Sequence, residues 1–461
     1  MISNILFIVS ISIIIYFALL SLWYMVLLIA SFPEVINKFR EARYGNITQL
    51  IERGNLIPAT IVTPAFNEEK RILNMLYSGL NSNYKQLKFI VVNDGSTDGT
   101  MELLKTEFDL YEVPVTIKQT FKTALVKHCY LSKKVSNLMV LDKEHSPNNC
   151  ASDAVNAGLN ACTTPVMLTV DADTVLEPDA ITRMMFALLS QKHCIVVSGS
   201  VYILNENKVE RGKLLTTNLP KKFISAVQAV EYLRSFLYGR SGLNVLGGAL
   251  CYPGAFTLFE TEALREVGGF DSENFSYDAE IITKLHHYMR QHRYPHKLNH
   301  SPNAFCWTEA PSTLKSYWGQ RYRWQRGMWR SVMRHFTMFL NPNYGIVGML
   351  TFPGYVLFEV LGPVVEFVSY LTLAIAFFAG VINYSVIFWF LILAWGTLTY
   401  TTVAMVFLNL ISFNKYDKIS DMFRALWLVF AEMLGFRQYR ALCCAVGTGR
   451  YMFNRLLGRP L

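Results

Sequence analysis

The sequence predicts an α/β fold with a doubly wound, mostly parallel sheet and flanking transmembrane helices. In the middle of the chain, short apolar runs at residues 59–63, 88–92 and 166–170 alternate with helical patterns such as residues 68–80. Strands that alternate with helices in this way are typical of parallel sheets. Long apolar runs replace this pattern towards both ends of the chain.

Length and composition predict two kinds of structure in one chain. The 461 residues exceed the usual size of a single core, and 52% of them are hydrophobic while 17% are charged. This composition is too apolar for an ordinary soluble enzyme and too charged for a pure bundle of membrane spans. We therefore predict a transmembrane helix at residues 1–33, a juxtamembrane linker at 34–56, a cytoplasmic globular domain at 57–342 and a C-terminal membrane region at 343–461.

The terminal apolar runs are long enough to span a bilayer, which takes about 20 residues. Residues 4–32 form a nearly uncharged run that is too long for the apolar core of a signal peptide. Prolines and glycines interrupt residues 344–382, so we expect an interfacial first half and a span that begins near Gly362. Residues 384–411 form a second span, and residues 421–436 are interpreted as an interfacial or re-entrant helix.

The formal net charge of +9 favours an anionic partner, either nucleic acid or membrane lipid. Basic residues cluster beside the apolar runs, at Lys38, Arg40 and Arg43 and again from Arg437 to Arg459. This clustering favours cytoplasmic flanks held against anionic lipid, and no nucleic-acid partner is expected. The same rule places the N-terminus outside and the middle domain in the cytoplasm, in a multi-pass protein of the plasma (inner) membrane. The eight cysteines include no CxxC pair, so reduced thiols are expected.

Two polar segments that follow predicted strands indicate a nucleotide site. Residues 63–69 (TPAFNEE) place Pro64 and Glu68 at the end of one strand, and residues 92–98 (VNDGSTD) place Asp94 at the end of the next. In a doubly wound sheet, ligands bind outside the carboxyl ends of the strands. Taken alone, each segment is equally typical of an ordinary turn with a helix cap.

Two further acidic motifs can carry chemistry. Asp171 and Asp173 lie one residue apart directly after a buried strand. They can hold a divalent cation, which in turn can hold a diphosphate. Asp278 lies just before a predicted helix at residues 281–290. The alternatives are a helix cap for the first motif and a carboxylate favoured by the helix dipole for the second.

A fifth motif, residues 320–324 (QRYRW), precedes the C-terminal apolar region. Arg323 offers a planar fork for phosphate, and Trp324 offers a flat face for a sugar ring. The alternative is a juxtamembrane belt of basic and aromatic residues.

Together, in this order and spacing, the five motifs resemble the family 2 inverting glycosyltransferases, and most closely the membrane synthases of poly-N-acetylglucosamine, hyaluronan, chitin and cellulose. The resemblance covers about residues 59–324 and the flanking spans, and its most specific element is Gln-x-x-Arg-Trp. It implies a GT-A-like fold and transfer of N-acetylglucosamine or a related hexose from a UDP-sugar to a growing polysaccharide. One alternative is a non-processive membrane enzyme that acts on a lipid acceptor. Another is a transporter or scaffold with a degenerate transferase domain.

The resemblance also implies a role for each motif residue. Asp278 would be the catalytic base, and Asp173 would bind Mg²⁺ or Mn²⁺. Donor contacts would come from Pro64, Glu68, Asp94, Asp171 and Arg323. Acceptor contacts would come from Gly254, Gln320 and Trp324. The implied partners are the UDP-sugar donor, the saccharide acceptor and membrane lipids, and an accessory membrane subunit is left open.

Two positions depart from the family pattern. Residues 153–158 keep the usual Asp-Ala-x-Asn-x-Gly, but Cys150 and Ala151 stand where Gly-Lys is usual. The residue before the implied base is Tyr277 rather than the usual Glu. Both departures bear on the affinity for the donor and on its identity more than on the class of reaction.

Overall fold

The structure is a computed structural model that describes residues 2–44, 56–381, 383–413, 415–416 and 418–458. Residues 45–55 of the predicted linker, and Arg459, lie outside the described residues. The chain divides into two compact units. The sheet unit comprises Asn37–Thr217 and Gly247–Ala310, and the helical unit comprises Met1–Ile36, Asn218–Leu246 and Pro311–Leu461.

All strands among the described residues lie in the sheet unit. In chain order they are β1 Ala59–Ala65, β2 Leu87–Asp94, β3 Leu110–Val113, β4 Val126–Ser132, β5 Leu138–Lys143, β6 Val166–Val170, β7 Val175–Leu176, β8 Cys194–Ile203, β9 Val209–Glu210, β10 Lys213–Leu214, β11 Phe256–Glu260 and β12 Lys297–Thr308. One ten-stranded sheet has the order β3-β4-β5-β2-β1-β6-β11-β8-β12-β7, and β9 pairs with β10.

The centre of this sheet is parallel. Strands β5, β2, β1 and β6 are neighbours and run in the same direction, so their carboxyl ends share one edge. Every residue of β6 is buried, as expected for a strand covered on both faces. Antiparallel pairing of β3 with β4, β4 with β5, β11 with its two neighbours and β7 with β12 extends the sheet on both sides. The predicted α/β fold with a mostly parallel sheet is confirmed.

The helices occur in both units. In chain order they are α1 Ile2–Tyr44, α2 Ile72–Leu80, α3 Thr100–Phe108, α4 Ala151–Ala161, α5 Ala180–Leu189, α6 Phe223–Leu233, α7 Ser241–Val245, α8 Thr261–Glu266, α9 Tyr277–Gln291, α10 Leu314–Arg334, α11 Val347–Val360, α12 Gly362–Phe378, α13 Tyr384–Asn409, α14 Ile419–Ala431 and α15 Arg437–Leu456. A π-helical segment, Arg234–Arg240, continues α6, and α- and π-helical turns alternate in α11.

One glycine allows α4 to lie against the centre of the sheet. A Cβ atom at Gly158 would come within 2.2 Å of Cγ1 of Val62 in β1. No side chain fits in that space, so a residue larger than glycine would push the helix away from the strand. This close packing holds α4 against β1, the strand whose carboxyl end carries the first predicted nucleotide motif.

Within the part of the chain that the structure describes, two helices are long and apolar enough to cross a membrane: Leu6–Glu41 within α1, and α13. Helices α11 and α12 meet the same criterion only as a pair, and they are bent against each other by 42°. Helix α12 begins at Gly362, with Pro363 in its first turn, and the start of a span near Gly362 stays a prediction. The interfacial position of residues 421–436 stays a prediction.

Residues 311–342, which we predict as the last part of the cytoplasmic domain, belong to the helical unit by their packing. Helix α10 lies in this stretch, and it begins with a capping box in which Thr313 and Ser316 exchange hydrogen bonds. Where the chain enters the membrane stays a prediction.

Candidate active site

Four of the predicted site acids lie together where β1 and β6 end. Asp171 follows β6 directly, and Glu68 comes three residues after β1. Burial, and then the negative charges of Asp173, Asp278 and Glu68, raise the pKa of Asp171 well above its ordinary value. Burial and the charge of Asp173 also raise the pKa of Glu68, against the lowering effect of its ion pair with Arg71. The acids therefore share one site and repel one another.

Asp173 is oriented by the end of β12. Oγ1 of Thr308 donates a hydrogen bond of 2.9 Å to Oδ1 of Asp173, and Oγ1 of Thr174 donates one of 2.9 Å to Oγ1 of Thr308. Burial raises the pKa of Asp173, the hydrogen bond from Thr308 opposes this rise, and the charge of Glu309 adds to it. Residues 308–311 (TEAP) are part of the resemblance to the family, but the sequence does not predict the contact of Thr308 with Asp173, because that contact depends on β12 reaching the same edge as β6.

Asp278, the predicted base, lies in the first turn of α9. Its Oδ2 accepts a hydrogen bond of 3.2 Å from the backbone N–H of Gly254, and its Oδ1 accepts one of 2.9 Å from the N–H of Ala279. A Cβ atom at Gly254 would lie 2.9 Å from the Tyr277 hydroxyl oxygen, so the space beside the carboxylate admits only glycine without a shift. The structure thus brings Gly254 and Asp278 together.

Tyr277 stands where the family pattern usually has a glutamate. Burial, and then the charges of Asp171 and Asp278, raise the pKa of its phenol well above the ordinary value. The phenol therefore stays neutral across the physiological range. Tyr277 gives the site a hydroxyl group in place of one more negative charge.

The two predicted nucleotide segments are tied to each other. Oδ1 of Asn67 accepts hydrogen bonds of 2.7 Å from the N–H of Thr97 and 3.3 Å from the N–H of Asp98. In return, the N–H of Glu69 donates one of 3.2 Å to Oδ2 of Asp98. Asn67 has a positive φ of 59°, a conformation that asparagine tolerates better than most residues. Pro64 and Asp94 lie at the ends of the neighbouring strands β1 and β2, on either side of this junction.

Asp94 forms an ion pair with a buried lysine that the sequence motifs do not reveal. Nζ of Lys143, the last residue of β5, contacts Oδ1 of Asp94 and lies 2.8 Å from Oδ2 of Asp153 in α4. The side chain of Lys143 is fully buried, so its positive charge is paired with these two carboxylates and not with solvent. A lone lysine that ends an apolar strand is the only signal in the sequence, and it does not name its partners.

Gln320, Arg323 and Trp324 lie in the helical unit, whereas the other predicted site residues lie in the sheet unit. Their spacing by three and four residues places all three on one face of α10. Arg323 is exposed, and the guanidinium carbon of Arg321 lies 4.6 Å from the centre of the Trp324 ring.

A buried network fixes α10 within the helical unit. Glu231 in α6 lies 2.7 Å from a guanidinium nitrogen of Arg321 and 3.1 Å from one of Arg440. Burial would raise the pKa of Glu231, but Arg321, Arg440 and Arg234 outweigh it and hold the pKa below its ordinary value. The orientation of α10 within the helical unit is therefore fixed by these ion pairs as well as by apolar packing.

The acids fit a divalent cation that is shared with a diphosphate. Among the residues that the structure describes, no group of three or more His, Cys, Asp or Glu could hold a metal ion. Two carboxylates can still bind Mg²⁺ or Mn²⁺ when phosphate oxygens and water complete the coordination, and these ions prefer oxygen ligands. Burial, and then nearby negative charges, raise the pKa of Asp171 and of Asp173, and a bound cation would favour the charged form of both carboxylates.

Two family models match the chain across this site. The model described as "Glycosyl transferase family 2" matches residues 60–123, and that described as "Glycosyltransferase like family 2" matches residues 131–327. The fold, the acidic site and these matches define a glycosyltransferase. The chain is a glycosyltransferase that resembles family 2 and, within that family, the processive polysaccharide synthases.

Individual relatives agree with this assignment. The chain is 23% identical to the poly-beta-1,6-N-acetyl-D-glucosamine synthase of Staphylococcus epidermidis, over 77% of this chain and 74% of that one. It is 25% identical to the enzyme of that name from Staphylococcus aureus (strain COL), over 64% of this chain and 61% of that one. The mannosyltransferase PcManGT from Pyrobaculum calidifontis, in complex with GDP-Man and Mn²⁺, has a TM-score of 0.50 at 16% identity, covering 89% of this chain and 99% of that one. The last likeness shows the fold alone.

Proposed function

We propose that the chain is an inverting glycosyltransferase that moves N-acetylglucosamine or a related hexose from a UDP-sugar to a growing polysaccharide at the membrane. The observation that carries this proposal is that Asp278, held by the N–H of Gly254, shares one acidic site with Asp171 and Asp173. The names of the relatives support the polysaccharide product and the sugar. The two apolar helices support action at the membrane.

In this proposal the sheet unit binds the donor. Pro64, Glu68 and Asp94 would contact the nucleoside. Asp171 would contact the donor, and Asp173 would hold Mg²⁺ or Mn²⁺, which in turn would bind the diphosphate. When bound, the cation offsets negative charge on the departing diphosphate. The Mn²⁺ in the mannosyltransferase complex is in line with this role.

The proposed reaction is a single displacement. The carboxylate of Asp278 takes the proton of an acceptor hydroxyl group, and the acceptor oxygen forms a bond to the anomeric carbon. The bond between that carbon and the diphosphate oxygen breaks on the opposite side, so UDP leaves with the electron pair and the configuration inverts. The N–H of Gly254, which donates to Asp278, keeps the carboxylate aimed while it is charged.

Three residues on α10 are proposed to bind the donor and the acceptor. Arg323 is proposed to contact the diphosphate, and Gln320 and Trp324 are proposed to contact the acceptor. These roles rest on the resemblance and on the shared helix face of the three residues. Oε1 of Gln320 is buried and has no hydrogen-bond partner among the described residues, so a donor group on a ligand would satisfy it.

An assay with purified membranes tests the proposal. Membranes that contain the full chain are incubated with radiolabelled UDP-N-acetylglucosamine, UDP-glucose or GDP-mannose and Mg²⁺ or Mn²⁺, and the product is sized and digested with linkage-specific glycosidases. We expect a long polymer from one UDP-sugar, and roughly 10²–10⁴-fold less label incorporated per unit time in membranes carrying Asp278→Asn. A short product that partitions into organic solvent would instead support the lipid-acceptor alternative. If no sugar is transferred and no UDP is released, the proposed glycosyltransferase activity is contradicted.

A further inference from the structure

Two half-exposed rings stack beside Asp94. Phe66 directly follows β1, and His145 lies two residues after β5. Their ring centres are 4.3 Å apart, with an angle of 28° between the planes. The exposed fractions are 44% for Phe66 and 34% for the His145 side chain. A stacked pair that stays this exposed offers apolar ring surface to a planar ligand.

Hydrogen bonds hold the His145 ring in place. Its Nδ1 lies 2.8 Å from the carbonyl oxygen of Asp94 and 3.2 Å from Oδ2 of the same residue, and its Nε2 lies 2.6 Å from Oδ1 of Asn149. Every one of these partner atoms is a hydrogen-bond acceptor. Only the doubly protonated imidazolium can donate from both nitrogens at once.

The surrounding charges agree with a cationic ring. The hydrogen bonds to Asn149 and to the Asp94 carbonyl, together with the Asp94 carboxylate, raise the pKa of His145 above its ordinary value. Partial burial and the positive charge of Lys143 act in the opposite direction and are outweighed. The imidazole therefore holds its proton at a higher pH than a free histidine.

The pair lies at the edge where a nucleotide is expected. In the order β5-β2-β1, the carboxyl ends of the outer two strands lead to His145 and Phe66, and β2 between them ends at Asp94. Lys143 is buried, and its single positive charge is shared between Asp94 and Asp153. Ala151, at the position where the family pattern usually has lysine, is exposed and uncharged. His145 is thus the cation that reaches both Asp94 and the surface.

We propose that His145 is a further donor-binding residue, which forms with Phe66 a stacking platform for the base of the donor nucleotide and supplies a positive charge in place of the missing lysine. The inference rests on the proposed function in that the donor is taken to be a nucleoside diphosphate sugar. Ring stacking recognises any planar base, and the charge attracts the adjoining diphosphate. Binding should weaken as the pH rises through the pKa of the folded-state imidazole, because the charge is then lost.

Binding of nucleotide to the full-length protein tests this proposal without relying on turnover. The Kd for UDP with Mg²⁺ is measured by calorimetry between pH 6 and 9 for the wild type, His145→Ala and His145→Phe. We expect about a 10-fold weaker Kd for His145→Ala at the lower end of this range. His145→Phe should keep part of the affinity through stacking but lose the weakening of binding with rising pH that the charge of His145 gives the wild type. The matched control is His128→Phe, since His128 on β4 also has an exposed side chain and lies 2.8 Å from a carboxylate oxygen of Glu112 on β3.

The outcomes separate this inference from the proposed function. Wild-type affinity for UDP in His145→Ala, with an unchanged melting temperature, would overturn the role of His145 and leave the UDP-sugar proposal standing. Tight binding of GDP but not UDP by the wild type would overturn the proposed donor, and the same variants would then be measured with GDP. If the alanine variant is unfolded, the pH profile of His145→Phe decides, because an unchanged slope would overturn the cationic role. A wild type that binds neither nucleotide would overturn both proposals.

Discussion

Thr308 ends β12, and its hydroxyl group donates a hydrogen bond of 2.9 Å to Oδ1 of Asp173. The two residues are 135 positions apart in the chain, and Thr174 bonds to the same hydroxyl oxygen at 2.9 Å. A carboxylate held in this way loses little rotational freedom when it binds a cation. Groups that orient a metal ligand commonly matter for metal affinity almost as much as the ligand itself.

The first prediction concerns the divalent cation. EDTA or Asp173→Ala should abolish transfer, because the charge of the diphosphate is then left uncompensated. Thr308→Val keeps the shape of the side chain but loses the hydrogen bond. It should raise the Mn²⁺ concentration needed for half-maximal activity by roughly 10-fold, with activity restored at saturating metal. Both effects are measured by following the rate of sugar transfer as the concentration of Mn²⁺ is varied.

The matched control for this experiment is Thr106→Val, because Thr106 lies exposed on α3 and bonds only the carbonyl oxygen of Glu102. The control should titrate like the wild type. Full activity in EDTA would refute the role given to Asp173, and an unshifted titration for Thr308→Val would refute the orienting role of Thr308.

The second prediction concerns the base. Asp278→Asn preserves the shape of the side chain and an acceptor for the N–H of Gly254, but the amide cannot take a proton. Turnover should fall by roughly 10²–10⁴-fold, while the Kd for UDP stays within error of the wild type. Asp109→Asn is the control, since Asp109 is exposed and has a φ of 47°, which asparagine adopts easily. Near-normal turnover of the Asp278 variant would remove this assignment.

The parts of the site that could be predicted are those coded by short stretches of chain. A strand that ends in polar residues reveals its own carboxyl end, so Asp94 and Asp171 could be placed at the ligand edge from local pattern. The contacts from Thr308 to Asp173 and from Lys143 to Asp94 depend on which strands become neighbours. No local pattern specifies that order.

The fold shows the same division between local and global information. Alternation of strands and helices predicted the parallel centre, but it cannot distinguish β11, which runs antiparallel between β6 and β8. Similarly, basic residues mark where a span should leave the bilayer, whereas the α1 helix runs on to Tyr44, with Pro33 inside it. The position of basic residues depends on the charge of the membrane surface, whereas the length of a helix depends on its backbone hydrogen bonds.

The third prediction concerns topology. Positive flanks place the N-terminus outside and both the sheet unit and the C-terminal tail inside. Single cysteines at Ser3, Lys208 and Leu457 are treated with an impermeant thiol reagent on intact cells. Lys208 and Leu457 suit this test because both are exposed. Only the first position should react.

Permeabilised cells serve as the control for topology, since all three cysteines should then be labelled. None of the eight native cysteines, all within the described residues, forms a disulfide, so the unmodified chain gives the background. Labelling at position 457 in intact cells would mean that α14 or its surroundings cross the membrane. Labelling at position 208 would contradict a cytoplasmic site.

The fourth prediction concerns processivity and depends on Trp324. One face of its indole is covered by Arg321, which Glu231 holds at 2.7 Å. A sugar ring that stacks on this fixed indole would keep the end of the polymer in place for the next addition. If so, Trp324→Ala should abolish long polymer while slow hydrolysis of the donor to UDP and free sugar continues, because water needs no platform. Trp324→Phe should retain part of the polymer length.

A tryptophan that merely anchors the protein at the membrane would behave differently. Trp427 on α14 is a suitable control, since it is 62% exposed and lies in the segment interpreted as interfacial. Its replacement by alanine should leave polymer length unchanged, although the amount of protein in the membrane can fall. Product size and UDP release are measured separately and divided by the amount of protein. If Trp324→Ala makes full-length polymer, Trp324 is not the acceptor platform, and single addition to a lipid becomes the better account of this enzyme.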